Sequence, residues 1–397
     1  SHRERGLPLL RERVGVRAIN NQREKYTMKK LTVVQTLPAL NAGGVERGTL
    51  EIGRALVAAG HRSIVISNGG RLVAQLEAEG SEHITLPVHK KSLASLLQVT
   101  AFRKTIADIK PDILHARSRV PAWIAWLAWR KLPINNRPHF VTTVHGLYSV
   151  NFYSAIMTKG ERVIAVSHTV KDYILKNYPQ CPADKIQVIY RGVSAEEFPY
   201  DYQPNNDWLT KWHNDYPQLQ GKTVLTLAGR ITRLKGHDTF INLIETLISK
   251  NHQVHGLIVG GAEAKKQAYL EEIQQLIVSK DLSQHITLTG HRSDIKEVFS
   301  QSDIIYSLSS QAETFGRTVL EALYLGKSVL GWNHGGVGEI LSHCYPQGSI
   351  TLNDHSTLLA HTEQLLQKPQ PPQLITQFRL QTMCEQTLAL YKKLSSS

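Results

Sequence analysis

The sequence is poor in cysteine. Cys181, Cys344 and Cys384 are the only three in 397 residues, widely spaced and in no CxxC pair. That excludes a disulfide framework and a cysteine-built zinc site, and it leads us to expect a reducing, cytoplasmic setting. Long apolar runs are also missing: the longest, Val120 to Trp129, has ten residues. A membrane-spanning helix needs roughly 20, so a bundle of such helices is excluded. No Asp-x-Asp pair is present to hold a divalent cation between carboxylates. Low-complexity tracts and short repeats are absent as well, which excludes fibrous and solenoid architectures.

What is present is ordinary for a globular protein, 41% hydrophobic and 20% charged. The length is about twice what one core usually supports, so two domains of roughly 150–200 residues are expected. The formal charge is +13, which invites a polyanionic or anionic-surface partner. Its distribution decides between them. Residues 1–27 carry seven Lys and Arg against three acids, residues 28–200 carry 22 against 12, and residues 201–397 carry 17 against 18. A nucleic-acid coat would not stop at mid-chain, so no nucleic-acid partner is expected. The excess points to an acidic acceptor or the anionic inner face of a membrane.

Residues 1–27 are expected to be an N-terminal extension, flexible or an expression remnant, with Met28 the start of the native chain. From Leu31 onward, short β-branched runs alternate with amphipathic stretches. Strands are expected at 31–35, 62–67, 112–115, 140–144, 162–166 and 187–190, with helices at 45–59, 92–109, 120–131 and 168–177. A polar, proline-marked stretch from Pro199 to Gly221 reads as the domain boundary. The alternation then restarts, with strands at 223–228, 254–259, 286–288, 304–307 and 328–331, and helices at 237–249, 265–278, 294–300, 316–325 and 337–342. The expected fold is α/β: two facing, doubly wound, Rossmann-like domains, residues 28–200 and 201–371, with a helical tail over 372–397. The cleft between the carboxyl ends of the two sheets is the expected site.

Several residue constellations fall at that cleft. Gly229-Arg230-Ile231-Thr232-Arg233-Leu234-Lys235-Gly236-His237 is a glycine turn carrying three cations ahead of a helix. Arg230 and Lys235 can both reach a diphosphate without a metal; a solvated basic turn is the alternative. Gln311 to Ala322 follows a strand, and Gly316 opens a helix. The amides of Phe315, Gly316, Arg317 and Thr318 then point at the mouth of the cleft, a ready anion site. Glu313 and Glu321 frame whatever binds there, unless they only complement the helix dipole and its surface. In the first half, Asn41-Ala42-Gly43-Gly44-Val45-Glu46-Arg47 opens a helix, and Val144-His145-Gly146 ends a strand. His115-Ala116-Arg117-Ser118-Arg119 ends another and offers Arg117 and Arg119 to phosphate on an acceptor. Trp123, Trp126 and Trp129 lie three apart beside Arg130 and Lys131; packing on the sheet is the favoured reading and a seat at a lipid interface the other.

In combination these residues resemble the glycosyltransferases of the GT-B fold, in particular retaining glycosyltransferase family 4, over about Leu31 to Ser342. The resemblance implies that Glu313 and Glu321 lie at the donor sugar and the nucleotide ribose, and that Arg230 and Lys235 bind the donor diphosphate. It implies that Gly290-His291-Arg292 forms the loop at the base, with His291 and Arg292 among the donor-binding residues. Gly43 and Gly44 would pack against the donor phosphates, Gly229 would form the phosphate turn, and His145 would sit near the reacting sugar. Arg191, in Tyr190-Arg191-Gly192-Val193, departs from the asparagine common there and is placed with Arg117 and Arg119 on the acceptor side, its contact left open. The implied reaction moves a sugar from a nucleotide-diphosphate donor to a glycan or glycolipid hydroxyl, with retention of configuration. A donor phosphate oxygen would take the acceptor proton. Neither cofactor nor metal is expected.

The stretch Gly146-Leu147-Tyr148-Ser149-Val150-Asn151, with Gly316-Arg317-Thr318, looks like proteobacterial enzymes that build lipopolysaccharide or related envelope glycans. A nucleotide-sugar epimerase, a glycan phosphorylase and a basic nucleic-acid-binding protein remain as alternatives.

Overall fold

Near-continuous apolar runs too short to be helices become strands buried on both faces once helices cover them, and this chain does so twice. The computed structural model describes residues 29–41, 43–90, 97–263 and 266–396. The expectation for residues 1–27 and the first part of the helix expected over 92–109 lie outside the described residues. The first sheet contains β1 (Thr32–Thr36), β2 (Arg62–Ser67), β3 (Glu82–Thr85), β4 (Ile113–Ala116), β5 (His139–Val144), β6 (Arg162–Ala165) and β7 (Ile186–Val188). Its order is β3-β2-β1-β4-β5-β6-β7, with every pairing parallel. Helices α1 (Gly44–Ala58), α2 (Val73–Ala78), α3 (Gln98–Ile109), α4 (Arg119–Arg130) and α5 (His168–Asn177) make the crossovers.

The second half begins with α6 (Asn206–Asp215). It continues as β8 (Thr223–Ala228), α7 (His237–Ser249), β9 (Val254–Val259), α8 (Gln267–Ser279), β10 (Ile286–Gly290), α9 (Ile295–Ser300) and β11 (Ile304–Ser307). Then follow α10 (Arg317–Tyr324), β12 (Ser328–Trp332), α11 (Gly335–Cys344), β13 (Ser349–Ile350), α12 (His355–Gln367) and α13 (Leu380–Ser395). The second sheet is also parallel, in the order β10-β9-β8-β11-β12-β13. The fold is therefore two Rossmann-like domains. The order of strand addition reverses between β1 and β4 in one and between β8 and β11 in the other, and such switch points open a crevice at the strands' carboxyl ends.

Five elements went unexpected: α2, α12 and three more, each of these three for a plain physical reason. β3 is an edge strand of four residues, Glu82-His83-Ile84-Thr85, with half of it exposed and no apolar alternation. β13 is two residues long. The polar stretch read as a boundary holds α6, which Asn205 caps by accepting from Trp208 N (2.8 Å) and which buries Trp212 against Leu219, Val224 and Leu257.

The terminal helix α13 returns to the first sheet. Met383, Leu390, Tyr391 and Leu394 are buried with Leu31, Val33, Ile52 and Ile113, and the Tyr391 hydroxyl lies 2.6 Å from His115 Nδ1. Burying side chains of this size stabilises by about 1.5–3 kcal/mol each. On α4 the face that packs inward is Ala122, Ile124, Ala125 and Ala128. Trp123, Trp126 and Trp129 are half-buried along its flank: Trp129 stacks on Phe140, and the Arg130 guanidinium lies 4.7 Å from the Trp126 ring centre. No helix among the described residues is long and apolar enough to cross a membrane.

Candidate active site

The loop from β8 to α7 starts at the second switch point. Gly236 has φ 77°, and a Cβ there would sit 2.1 Å from Leu308 O, so only glycine lets the loop close against β11. That closure delivers Lys235, whose Nζ pairs with Glu313 Oε1 at 2.7 Å. Ser309 Oγ donates to the same oxygen at 2.5 Å. Burial alone would raise the Glu313 pKa, but Lys235, Ser309 and Arg230 hold it below the usual carboxylate value, so Glu313 is an anion at neutral pH. Arg230 itself is exposed and pairs with Glu263 at 3.0 Å. His237, the first residue of α7, is buried and pulled down to about 4.

Across from Lys235, α10 begins after Gly316, which sits at φ 90° and offers no side-chain cap. The first-turn amides, those of Arg317 and Thr318 included, therefore lack intrahelical partners. Phe315 is buried, and the backbone ahead of it is held from α11: Gly336 N donates to Glu313 O at 2.7 Å. The Arg317 side chain turns toward the first domain. Its NH2 reaches Glu51 Oε1 on α1 at 2.7 Å and its Nε reaches Glu321 Oε1 at 3.0 Å. Glu321 also meets Arg47 NH1 at 3.3 Å, and Arg47 pairs with Glu197. Burial raises the Glu321 pKa and outweighs the pull of Arg317 and Arg47. Glu313 and Glu321 thus have different company: a lysine on the β8–α7 loop for the first, and Arg317 of its own helix with Arg47 from across the cleft for the second.

The first domain supplies the opposite wall. Gly43 and Gly44 begin α1, and nothing lies within 4 Å of where a Gly44 Cβ would be, so this turn faces open space. His145 follows β5, half-buried. Its backbone N–H bonds the Tyr148 hydroxyl (3.3 Å), and its carbonyl accepts from Thr314 Oγ1 in the Glu313 loop (3.0 Å). Arg191, after β7, donates from NH2 to Gly44 O (2.9 Å) and to His145 Nδ1 (3.1 Å). Arg117, after β4, is buried and donates from NH1 to Gln35 Oε1 (2.8 Å). Gly48 makes room for both: a Cβ there would fall 1.8 Å from Arg191 NH1 and 3.1 Å from Arg117 NH2.

Arg119 is not in this cluster. Its guanidinium lies 4.4 Å from the Tyr148 ring centre and 5.3 Å from that of Tyr153, and NH1 donates to Ser154 Oγ. Nor does Arg292 face the cleft: it forks onto Asp294 (2.8 and 2.5 Å) and covers Trp212. His291 does face it, lining a cavity of about 940 Å³ with Gly43, Gly44, Arg47, Glu51 and Arg317. A second cavity, about 660 Å³, is lined by Arg230, Lys235, Gln311, Glu313 and Tyr269. Gly229 opens the β8 turn between Val259 and Arg230.

Sequence reasoning missed the residues that tie the two domains together. Glu339, on α11, accepts from His168 N (3.0 Å), Thr169 N (2.6 Å), Thr169 Oγ1 (2.5 Å) and Tyr190 OH (2.7 Å). It caps α5 of the first domain from the second. Those bonds hold its pKa down against burial, which acts to raise it. Arg47 and Glu51 stand four apart on α1, a spacing that gives no sign of a role between the domains. Only the pairing of partners some 270 residues away in sequence reveals their place.

A model of Glycosyltransferase Family 4 matches residues 42–197, and a model of Glycosyl transferases group 1 matches residues 210–379. The crystal structure of a glycosyltransferase from Rickettsia africae ESF-5 is 31% identical, covers 92% of this chain and 99% of that one, and superposes with a TM-score of 0.79. Anabaena Alr3699/HepE in complex with UDP and glucose shares the fold at 20% identity, covering 92% of this chain and 100% of its own, with a TM-score of 0.76. The phosphatidylinositol N-acetylglucosaminyltransferase GPI3 subunit of Saccharomyces cerevisiae strain YJM789 is 25% identical over 323 residues, 75% of this chain and 67% of that protein.

Proposed function

This chain belongs to the glycosyltransferases of family 4 and group 1 on the GT-B fold, and from that premise we propose that it is a retaining, metal-independent hexosyltransferase using a nucleotide-diphosphate sugar. The observation that carries the reading is Lys235 held 2.7 Å from an ionised Glu313 beside the uncapped start of α10. A donor diphosphate laid there meets Lys235, the α10 amides and the Gly43-Gly44 turn. Arg230 joins easily, since an exposed ion pair such as Arg230–Glu263 is worth only about 0–1 kcal/mol. As the glycosidic bond breaks, charge builds on the leaving phosphate, and each preorganised donor contributes on the order of 3 kcal/mol. The acceptor hydroxyl attacks from the leaving-group face, and its proton goes to a donor phosphate oxygen. Glu313 faces the developing positive charge on the sugar. In this reading Arg230 and Lys235 neutralise the diphosphate, the part a metal would otherwise play.

The acceptor in this reading is a glycan or glycolipid of the bacterial envelope, lipopolysaccharide included, met at the inner face of the cytoplasmic membrane. Its support is the basic first domain together with an apolar rim on it: Phe152 is 81% exposed, and its ring packs 5.2 Å from that of Trp123. A saturating thermal shift with one of the UDP-, GDP- or ADP-sugars, followed by an α-linked product from an α-linked donor by NMR, would support the function. An inverted product would remove retention, and isomerised donor formed without acceptor would select the epimerase. Failure to float with anionic liposomes would remove the membrane surface.

A further inference from the structure

Arg191 is 8% exposed, and its NH2 nitrogen has two hydrogens with two acceptors in reach, Gly44 O at 2.9 Å and His145 Nδ1 at 3.1 Å. A guanidinium carries no lone pair to accept with, so the His145 contact has one polarity: Nδ1 is the acceptor. The ring is then neutral and its single hydrogen resides on Nε2. We propose that Arg191 is a positioning residue that locks His145 as the Nε2–H tautomer, and so makes it a hydrogen-bond donor to the reacting sugar and not a proton acceptor. The first half of this statement stands on the geometry of the cluster; the second rests on the function proposed above.

The surroundings all act in one direction. His145 Nε2 is buried and has no hydrogen-bond partner among the described residues, so a donor hydrogen is left to offer. Arg191 faces the ring from β7 and Arg117 from β4. His115 on β4 bonds Tyr391 and Thr143 and adds no negative charge. Tyr148 and Thr314, which bond the His145 backbone, are neutral. The nearest acids, Glu46 and Glu51 on α1, act on Arg191 and Arg117. A proton on His145 would be a third positive charge in a buried site that already holds two. Burial first, then Arg191 and Arg117, push its pKa well below the ordinary histidine value. Burial and Arg117 draw Arg191 itself down to about 9, which leaves it cationic at neutral pH. With Nδ1 engaged and Nε2 protonated, no lone pair is free on the ring, so the acceptor proton must leave by another route.

The test is ¹⁵N NMR of the full chain labelled at histidine, with His145→Gln used to assign the ring. The expected wild-type spectrum shows an unprotonated Nδ1 and a protonated Nε2, unchanged between about pH 5 and 8, the range in which a free histidine titrates. Arg191→Asn should free Nδ1 and let the ring populate the other tautomer, while burial and Arg117 still keep it neutral. It should also lower kcat about tenfold, the factor that about 1.4 kcal/mol of misplaced hydrogen bonding produces. Arg191→Lys keeps a charged donor and should restore the wild-type ring signature. Where Arg191→Asn fails to fold, the wild-type and Arg191→Lys spectra decide. A protonated Nδ1 in the wild type, or a ring signature in Arg191→Asn identical to wild type, overturns the assignment. A correct ring signature in a protein that transfers no sugar overturns the proposed function and leaves the tautomer lock standing.

Discussion

Lys235 Nζ lies 2.7 Å from Glu313 Oε1, joining the loop after β8 to the loop before α10 across the second switch point. The pair sets the charge of both loops at once, because the lysine holds the carboxylate ionised against the effect of burial. Lys235→Ala should therefore cost about 10²–10³ in kcat, the range for removing one preorganised donor, and Glu313 should titrate at higher pH. Arg230→Ala should cost a similar factor with no loss of melting temperature, since Arg230 is exposed. Steady-state kinetics and thermal melts check both, and wild-type turnover in either variant would remove that residue from the diphosphate site.

Glu321 is buried between Arg317 and Arg47, with Glu51 closing the other side of Arg317. A nucleotide ribose that bonds Glu321 must share it with Arg47. Glu321→Ala should raise the nucleotide dissociation constant about tenfold while changing kcat less. Glu51→Gln should destabilise the fold by about 3 kcal/mol, because it leaves a largely buried guanidinium underpaired. Calorimetric titration with nucleotide and denaturant melts separate the two effects.

Glu339 accepts four hydrogen bonds from the first domain while standing on the second. Bonds to a charged group contribute about 1.5–3 kcal/mol each, so this carboxylate is a principal tie between the domains. Glu339→Ala should widen the angle between them, seen as a larger radius of gyration by small-angle X-ray scattering. It should also raise KM for the donor more than it lowers kcat. An unchanged scattering curve would show that the ion pairs of α1 and α10 suffice.

Acid should destabilise the protein in a definite window. His237 and His255 are buried and neutral, each drawn down to about 4, first by burial. Unfolded, they bind protons near pH 6.5. The unfolded chain thus takes up protons first, so their contribution is complete above about 6.5 and is lost progressively as pH falls toward 4. His255→Gln, which keeps a partner for Thr287 Oγ1, should flatten the fall of melting temperature across this window. A slope equal to wild type would remove His255 as a source.

Activity should survive chelation. If Arg230, Lys235 and the α10 amides hold the diphosphate as proposed, turnover in excess EDTA should match turnover in added Mg²⁺ or Mn²⁺ within about twofold, well under the factor of 10 that 1.4 kcal/mol represents. A strict requirement for either cation would overturn the metal-free reading.

Strands such as β2, β8, β9 and β11 were legible to the residue, because uninterrupted runs like Val254-His255-Gly256-Leu257-Ile258-Val259 have few other ways to be buried. β3 and α6 were not, since their residues are polar and neighbours supply the burial. Within the site, Lys235 and Glu313 were readable from glycine turns next to strand ends. Arg119 and Arg292 were readable only as cations near the right loops, and the structure gives them to Tyr148 and Asp294.

Local sequence determined the two parallel sheets, their switch points and the loops that stand there, because strand period, helix period and glycine turns act over a few residues. Tertiary structure alone decided which charges meet: Arg317 with Glu51, Glu339 with the start of α5, Arg191 with His145, and α13 with the first sheet. Each joins residues tens to hundreds of positions apart, and electrostatic pairing and burial depend on distance through space, which no local spacing encodes.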